Sequence, residues 1–286
     1  MTLEELQTRI RSTPLINRTV TVATVSQWIE EHLIEIAWKT VDDIAADTGV
    51  SPASVIRTCQ SLGFDGYSQL QRIVRETLPT SGGLVDKLND TAASDPALSV
   101  PTRERANLDL FDADVAEQVE LTTPIILGAR RVAVMAALSS ETLGAYLASH
   151  LNFLLGNATF HEAASSASWI FMRDATEDDV AIILTFPRYA KSAINMLAHC
   201  RKTMPKTILI TDRRGARLFP CSHTVALPLS GDLFSAGPPV TVLTQMMAHA
   251  FKQHNPDRIA TNLAATDRAL GQAEVLLANS SYELHS

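Results

Sequence analysis

The sequence predicts two joined domains, an all-α helix-turn-helix head and a doubly wound α/β domain built on a parallel sheet. Three observations predict them. Two short helical segments meet at a glycine within residues 40–61, a stretch rich in Pro, Gly, Ser, Asp and Thr fills residues 79–102, and continuous apolar runs then alternate with helical segments. The expected division is residues 1–79 for the head, 80–102 for a linker and 103–286 for the α/β domain.

In the head, Val22, Val25, Trp28, Ile29, Leu33 and Ile36 recur at helical spacing, with Glu30, Glu31 and Glu35 outside, so residues 20–37 are expected as one amphipathic helix. Thr40 stands as an N-cap ahead of Asp42 and Asp43, where the helix dipole favours acids. Gly49 stops that helix. Ser51, with Pro52 at the first helical position, starts the next one. On a helical wheel the second helix turns Val55, Cys59 and Leu62 inward and Ala53, Arg57, Gln60 and Ser61 outward. A short polar face with an arginine is what a helix must present in a major groove, and it is also what any solvated helix shows. A further amphipathic helix follows to about Leu78.

Beyond the linker a helix is expected over 103–129, followed by strands at RRVAVMAAL, NATFHE, DDVAIILTF, PKTILITD and HTVALPL. Between them lie the helical segments SETLGAYLASHLNFLLG and KSAINMLAHCRKTM. Strands without polar alternation are covered on both faces, which is the mark of a parallel sheet between helices.

Bulk properties narrow the function classes. Hydrophobic residues make up 46% and charged residues 19% of 286, enough apolar material for packed cores and too much for a disordered chain. There is no apolar run of membrane-spanning length and no charged-then-apolar leader, so a cytoplasmic protein is expected. Cys59, Cys200 and Cys221 are far apart and odd in number, and read as buried apolar residues rather than a disulfide or metal set. The histidines show no zinc-ligand spacing, and no cofactor or metal is expected. The net charge of −7 opposes phosphate binding. Its distribution does not, because residues 51–75 carry Arg57, Arg72 and Arg75 against Asp65 alone.

The segment TVDDIAADTGVSPASVIRTCQSLGFDGYSQLQ resembles the N-terminal domain of the RpiR family of transcription regulators. Ile44-Ala45, Gly49-Val50-Ser51, Ser54-Val55-Ile56-Arg57, Leu62-Gly63-Phe64 and Gly66-Tyr67 fall at that family's spacing without a gap. The α/β domain resembles the sugar isomerase (SIS) domain that the family carries. The resemblance implies a homodimeric or homotetrameric repressor or activator whose SIS domain binds a small carbohydrate-derived effector, often a phosphosugar, and adjusts affinity for double-stranded operator DNA. It places Ser54 and Arg57 on the recognition helix with Gln60 and Ser61 beside them, makes Ser51 its cap and lets Tyr67 reach a phosphate. Gly63 and Gly66 serve the turn.

Ligands of parallel α/β sheets bind at the carboxyl ends of the strands. Three such loops are expected: Ser139 and Ser140 after the first strand, Thr185, Pro187, Arg188, Tyr189, Lys191 and Ser192 after VAIILTF, and Thr211-Asp212 after TILIT. Serines at a helix start are also ordinary caps. The chain departs from the SIS pattern twice. Ala136 and Leu138 stand where that family has glycines near the ligand, so side chains are expected in part of that space. Thr185-Phe186-Pro187-Arg188-Tyr189 replaces a Ser-x-Ser-Gly phosphate cradle and looks like a loop of some RpiR-type regulators. Arg188 can hold a carboxylate, sulfonate or phosphate in a fork, and Tyr189 offers a ring face and a hydroxyl; an intersubunit ion pair is the other use for Arg188. His161 and Glu162 follow the second strand, where a base would serve an isomerase; binding or a helix start is the simpler role for Glu162. The sequence thus favours a regulator sensing a small anion, against a phosphosugar isomerase-type enzyme or a SIS module whose head no longer binds DNA.

Overall fold

The computed structural model describes residues 3–12, 19–33, 35–37, 39–77, 99–204, 206–229 and 235–273. The chain divides into two compact units, residues 1–90 and 91–286.

The first unit is helical among its described residues: α1 (Leu3–Ser12), α2 (Val20–Glu31), a 3₁₀ turn (Glu35–Ala37), α3 (Val41–Thr48), α4 (Pro52–Ser61) and α5 (Tyr67–Thr77). Thr40 and Asp43 close a reciprocal capping box on α3, and Gly49 ends it in the left-handed region at φ 69°. Ser51 caps α4 by accepting from the Ser54 N–H, with Pro52 in the first turn. Val25, Ile29, Ile36, Ile44, Val55, Cys59, Leu62 and Leu70 form one core, so each helix pays for its ordering by burying one face. The single helix expected over 20–37 is instead broken after Glu31. His32 turns back, its ring Nδ1 at 2.9 Å from the Trp28 carbonyl and stacked 4.6 Å from the Trp28 ring, and the turn at Glu35–Ala37 follows.

The second unit runs α6 (Ser99–Leu108), α7 (Ala113–Leu127), β1 (Val132–Ala136), α8 (Glu141–Leu155), β2 (Ala158–Glu162), α9 (Ser166–Arg173), β3 (Val180–Leu184), α10 (Lys191–Thr203), β4 (Thr207–Asp212), α11 (Arg213–Leu218), β5 (His223–Leu227), α12 (Gly237–His254) and α13 (Pro256–Gln272). The helix expected over 103–129 is two helices. Asp112 accepts from the Val115 N–H and starts α7 afresh, while Arg213 binds both the Leu110 carbonyl and the Asp112 carboxylate across the elbow. Of the expected linker, 80–98 lie outside the described residues, and 99–102 already form the first turn of α6.

The five strands pair in parallel in the order β2-β1-β3-β4-β5. Every residue of β1, β3 and β4 is buried, as a sheet covered on both faces requires. Val132, Val134, Ala136, Ile182, Leu184 and Ile210 point into a core shared with α7, α8 and α12. Alternation sends Met135, Ile183 and Leu209 to the other side. Cys59 and Cys200 are buried, as expected, and burial pushes both thiols up to about 12; Cys221 is only partly buried.

At the amino end of β3, Asp179 is fully buried beneath two arginines, with Arg130 and Arg131 donating to its Oδ2 at 2.6 and 2.8 Å and the Thr176 N–H at 3.0 Å. Burial pushes this carboxyl up, but the hydrogen bonds from Arg131, Thr176 and Arg130 outweigh it and hold it near 2 instead of 3.8. Stability from this group is therefore present above the unfolded value and drains away as pH falls through the folded one. Asp179→Ala is expected to cost about 1.5 to 3 kcal/mol by urea unfolding at pH 7, the range for hydrogen bonds to a charged group, since both arginines keep access to water when the carboxylate is lost. The difference from wild type should shrink below about pH 3; a difference constant from pH 7 to pH 2 would remove the ionic explanation.

Candidate functional site

Two sites emerge, one in each unit. In the head, α4 exposes Ala53, Ile56, Arg57 and Gln60 as a stripe at i, i+3, i+4 and i+7, with Val55, Thr58 and Cys59 buried behind it. The Arg57 side chain is exposed and has no hydrogen-bond partner among the described residues. Ser51 and Ser54 share a hydroxyl pair at 2.9 Å on the first turn. Ser61 lies at the flank, where its hydroxyl donates back to the Arg57 carbonyl at 3.0 Å, and Gln60 reaches the Asp65 carbonyl only at 3.5 Å. Tyr67 is a correction. Its side chain is buried and its hydroxyl donates to the Lys39 carbonyl at 2.6 Å, so it braces α5 against the 3₁₀ turn and has no free donor for a phosphate.

Beside the stripe, Val41, Ile56, Asp65, Gly66, Ser68, Gln69 and Arg72 line a cleft of about 610 Å³ together with the edge of Tyr67. Ile56 was absent from the outward set read from the wheel. Its place is legible in the i, i+3 spacing from Ala53; only its apolar character argued for the core.

In the second unit the strand order reverses between β1 and β3, since β1 is followed by β2 on one side and β3 starts the march to the other. In parallel α/β sheets such a switch point is where a ligand crevice forms, at the carboxyl ends of the two strands. Only two non-glycine residues among those described adopt positive φ, Leu138 at 55° and Arg188 at 75°, and they stand on the loops that follow β1 and β3. Left-handed backbone costs of order 1 to 3 kcal/mol in such residues and persists where surrounding structure imposes it.

After β1 the chain makes a 3₁₀ turn (Leu138–Ser140) into α8. Ser139 is exposed and Ser140 buried, and no side chain caps α8 at Ser140, so the ordinary capping role for these serines is not the one they fill. The Leu138 N–H is held by Glu141 Oε1 at 2.7 Å. The expectation that Ala136 fills ligand space is corrected: its methyl packs below, against Gly144, where an added Cβ would meet it at 3.0 Å. Leu138, 71% exposed, does project from the turn.

After β3, Thr185 is buried and its carbonyl accepts from Thr211 Oγ1 at 2.6 Å. Arg188 is exposed and, like Lys191 at the start of α10, has no partner among the described residues. Ser192 follows in the same turn, half-buried. Tyr189 departs from expectation. Its hydroxyl donates to Asp212 Oδ1 at 2.8 Å and its ring packs edge-on to Phe219, so it anchors the loop to the end of β4 and its hydroxyl is spent. Burial first, then the Asp212 charge, pushes the phenol far above its usual range. Asp212 also caps α11 through the Gly215 and Arg214 N–H groups. A Cβ at Gly215 would stand 2.1 Å from Thr211 Oγ1, so no side chain fits there.

His161 is not brought to this crevice. Its ring bonds Thr159 Oγ1 at 2.9 Å and leans on Phe171, and burial and then Arg131 push its titration down. Glu162 accepts twice from the Ala164 N–H, both at 3.0 Å, which makes it a turn brace and not a poised base. Among the described residues no cluster suited to a metal occurs, and no helix is long and apolar enough to cross a membrane.

Comparison with known proteins fits each unit separately. Residues 19–81 match the family model for the helix-turn-helix domain of the rpiR family, and residues 125–250 match that of the SIS domain. No curated protein matches the sequence. The NanR protein of Vibrio vulnificus, solved with ManNAc-6P, overlaps 96% of this chain and 100% of its own at 18% identity and a TM-score of 0.51. The sugar isomerase domain of an RpiR transcription factor from Sphaerobacter thermophilus overlaps 60% of this chain and 97% of its own at 20% identity and 0.51. At these identities the likeness is one of fold.

Tyr189→Phe should cost about 1.5 to 3 kcal/mol in urea unfolding, the range for a hydrogen bond to a charged group. A change under half of that would mean that Asp212 finds another donor.

Proposed function

The chain belongs to the transcription regulators that join an rpiR-family helix-turn-helix domain to a SIS domain, and from that premise we propose which residues carry each task. Helix α4 enters the major groove with Ala53, Arg57 and Gln60 toward base edges, and Ser51, Ser54 and Ser61 flank it toward the backbone. What supports this is Arg57, without a partner among the described residues, on an exposed stripe in a segment that carries little acid.

The crevice between β1 and β3 takes a small anionic metabolite, a carbohydrate derivative bearing a carboxylate, sulfonate or phosphate. Arg188 supplies the fork, Lys191 a second charge, and Ser139, Ser140, Thr185 and Ser192 the polar lining. The observation that carries this reading is the pair of left-handed residues, Leu138 and Arg188, on the two loops of the switch point. ManNAc-6P, present in the NanR structure, belongs to the same broad class. The pocket binds without converting its ligand, since His161 and Glu162 are tied to Thr159 and Ala164. In this reading the protein acts as a homodimer or homotetramer, which doubles the basic surface facing DNA.

Fluorescence anisotropy with DNA flanking its own gene tests the head: Arg57→Ala should weaken binding by about 1 to 3 kcal/mol. Equal affinity of the variant and wild type would remove α4 from the interface. For the pocket, a thermal-shift screen of anionic metabolites should find a stabilising ligand, which at about 100 times its Kd adds roughly 2.7 kcal/mol. Arg188→Ala should abolish that ligand's effect on DNA affinity and leave binding without it nearly unchanged. Loss of both together would mark Arg188 as structural.

A further inference from the structure

We propose that Ile56 is a specificity residue of the head. It meets the 5-methyl group of a thymine on the cleft side of α4, and operator choice then rests on an apolar contact as well as on Arg57. The inference rests on the placement of α4 in the major groove and deepens it.

Base edges in the major groove present donors and acceptors, and the thymine 5-methyl is the one apolar group among them. Apolar surface carried into the groove therefore gains most at a thymine. Helix α4 carries such surface. Ile56 is 38% exposed, on a stripe whose other members are Ala53, Arg57 and Gln60. A single exposed isoleucine is ordinary on a helix. This one is singled out by its surroundings. The core behind it is closed by Val55, Cys59 and Leu62, and Ile56 stands outside that cluster.

At 100° per residue, Ala53 and Gln60 run down the middle of the stripe, with Ile56 to one side and Arg57 to the other. The Ile56 side opens on the cleft that Val41, Gly66, Ser68, Gln69 and Arg72 also line. Gly66 keeps it open. Its φ of 149° is one that side chains rarely adopt, and a Cβ there would stand 3.7 Å from Ile56 Cγ2, in contact with that methyl. A side chain at this position would cover the surface that the glycine leaves bare. Ile56 and Ala53, one turn before it, thus form an apolar patch beside open space, while Arg57 on the far side offers a guanidinium to acceptors such as those of guanine.

Replacing thymine by uracil removes the 5-methyl and leaves every hydrogen-bonding edge in place. The duplex flanking the protein's own gene, prepared with thymine or with uracil throughout, is the probe. It is titrated by fluorescence anisotropy with the full chain as wild type, Ile56→Ala and Arg57→Ala, with the melting curve as the check on folding. Wild type should bind the uracil duplex about fourfold or more weakly than the thymine duplex, the scale of one buried methyl group. Ile56→Ala should lose a similar factor on the thymine duplex and no longer tell the two apart, whereas Arg57→Ala should weaken both and keep their ratio. Equal affinity of wild type for the two duplexes overturns the proposal. So does a ratio that persists undiminished in a folded Ile56→Ala, which assigns the methyl dependence to another contact. If Arg57→Ala still weakens binding in either case, α4 stays in the groove and only the role of Ile56 falls. Wild-type affinity of both variants for the thymine duplex overturns both readings. Ile56→Ser carries the same expectation if Ile56→Ala does not fold.

Discussion

The reversal of strand order between β1 and β3 is the constraint on which the second unit depends. Five parallel strands can be joined only by crossovers, and each crossover returns the chain to the same edge before the next strand begins. All five strands therefore release their loops at one edge, and only one adjacent pair, β1 and β3, sends its helices away to opposite sides. That meeting of loops is a product of topology. What the residues add is charge, since Arg188 and Lys191 stand on the loop and the helix start that follow β3.

The head answers to a different constraint. Its helices are short, and α3 spans only Val41–Thr48, too little to hold itself together in water. Local devices start and stop each one, from the Thr40 and Asp43 box to the left-handed Gly49 and the Ser51 cap. Side chains spent in this way keep for other contacts only the donors and acceptors that the cap leaves over. Tyr67 shows the cost most clearly: its hydroxyl donates to the Lys39 carbonyl, which Gln71 also reaches at 2.7 Å, and the pair ties α5 to the chain after the 3₁₀ turn.

Much of this was legible in the sequence because the signals were local. Caps, the Gly49 stop and the apolar runs of β1, β3 and β4 each depend on residues a few positions apart, and they fell where the pattern placed them. The break at Asp109–Asp112 went unread although part of its signal is local, the Asp112 cap on the Val115 N–H; the contacts of Arg213 with Leu110 and Asp112 come from a hundred residues away. The site followed the same rule. Positions of the loops could be read from strand ends, but whether Arg188 was free and Tyr189 occupied depended on Asp212, which enters from another strand. The sense of Ala136 was misread for a related reason: sequence shows that a methyl replaces a hydrogen, not that Gly144 on the facing helix leaves room for it.

Asp212 gathers the carboxyl edge into one piece. It receives the Tyr189 phenol and the Gly215 and Arg214 N–H groups, and Thr211 beside it leaves no room for a side chain at Gly215. Changing any member leaves a polar partner short of its bond or forces a collision, so effects of substitutions here do not add. A single exchange in this cluster therefore leaves the loop after β3 loose from the end of β4, and restoring the edge takes a second exchange chosen to match the first. Arg188, one residue from that block, takes no part in its bonds, so an exchange there leaves the edge intact.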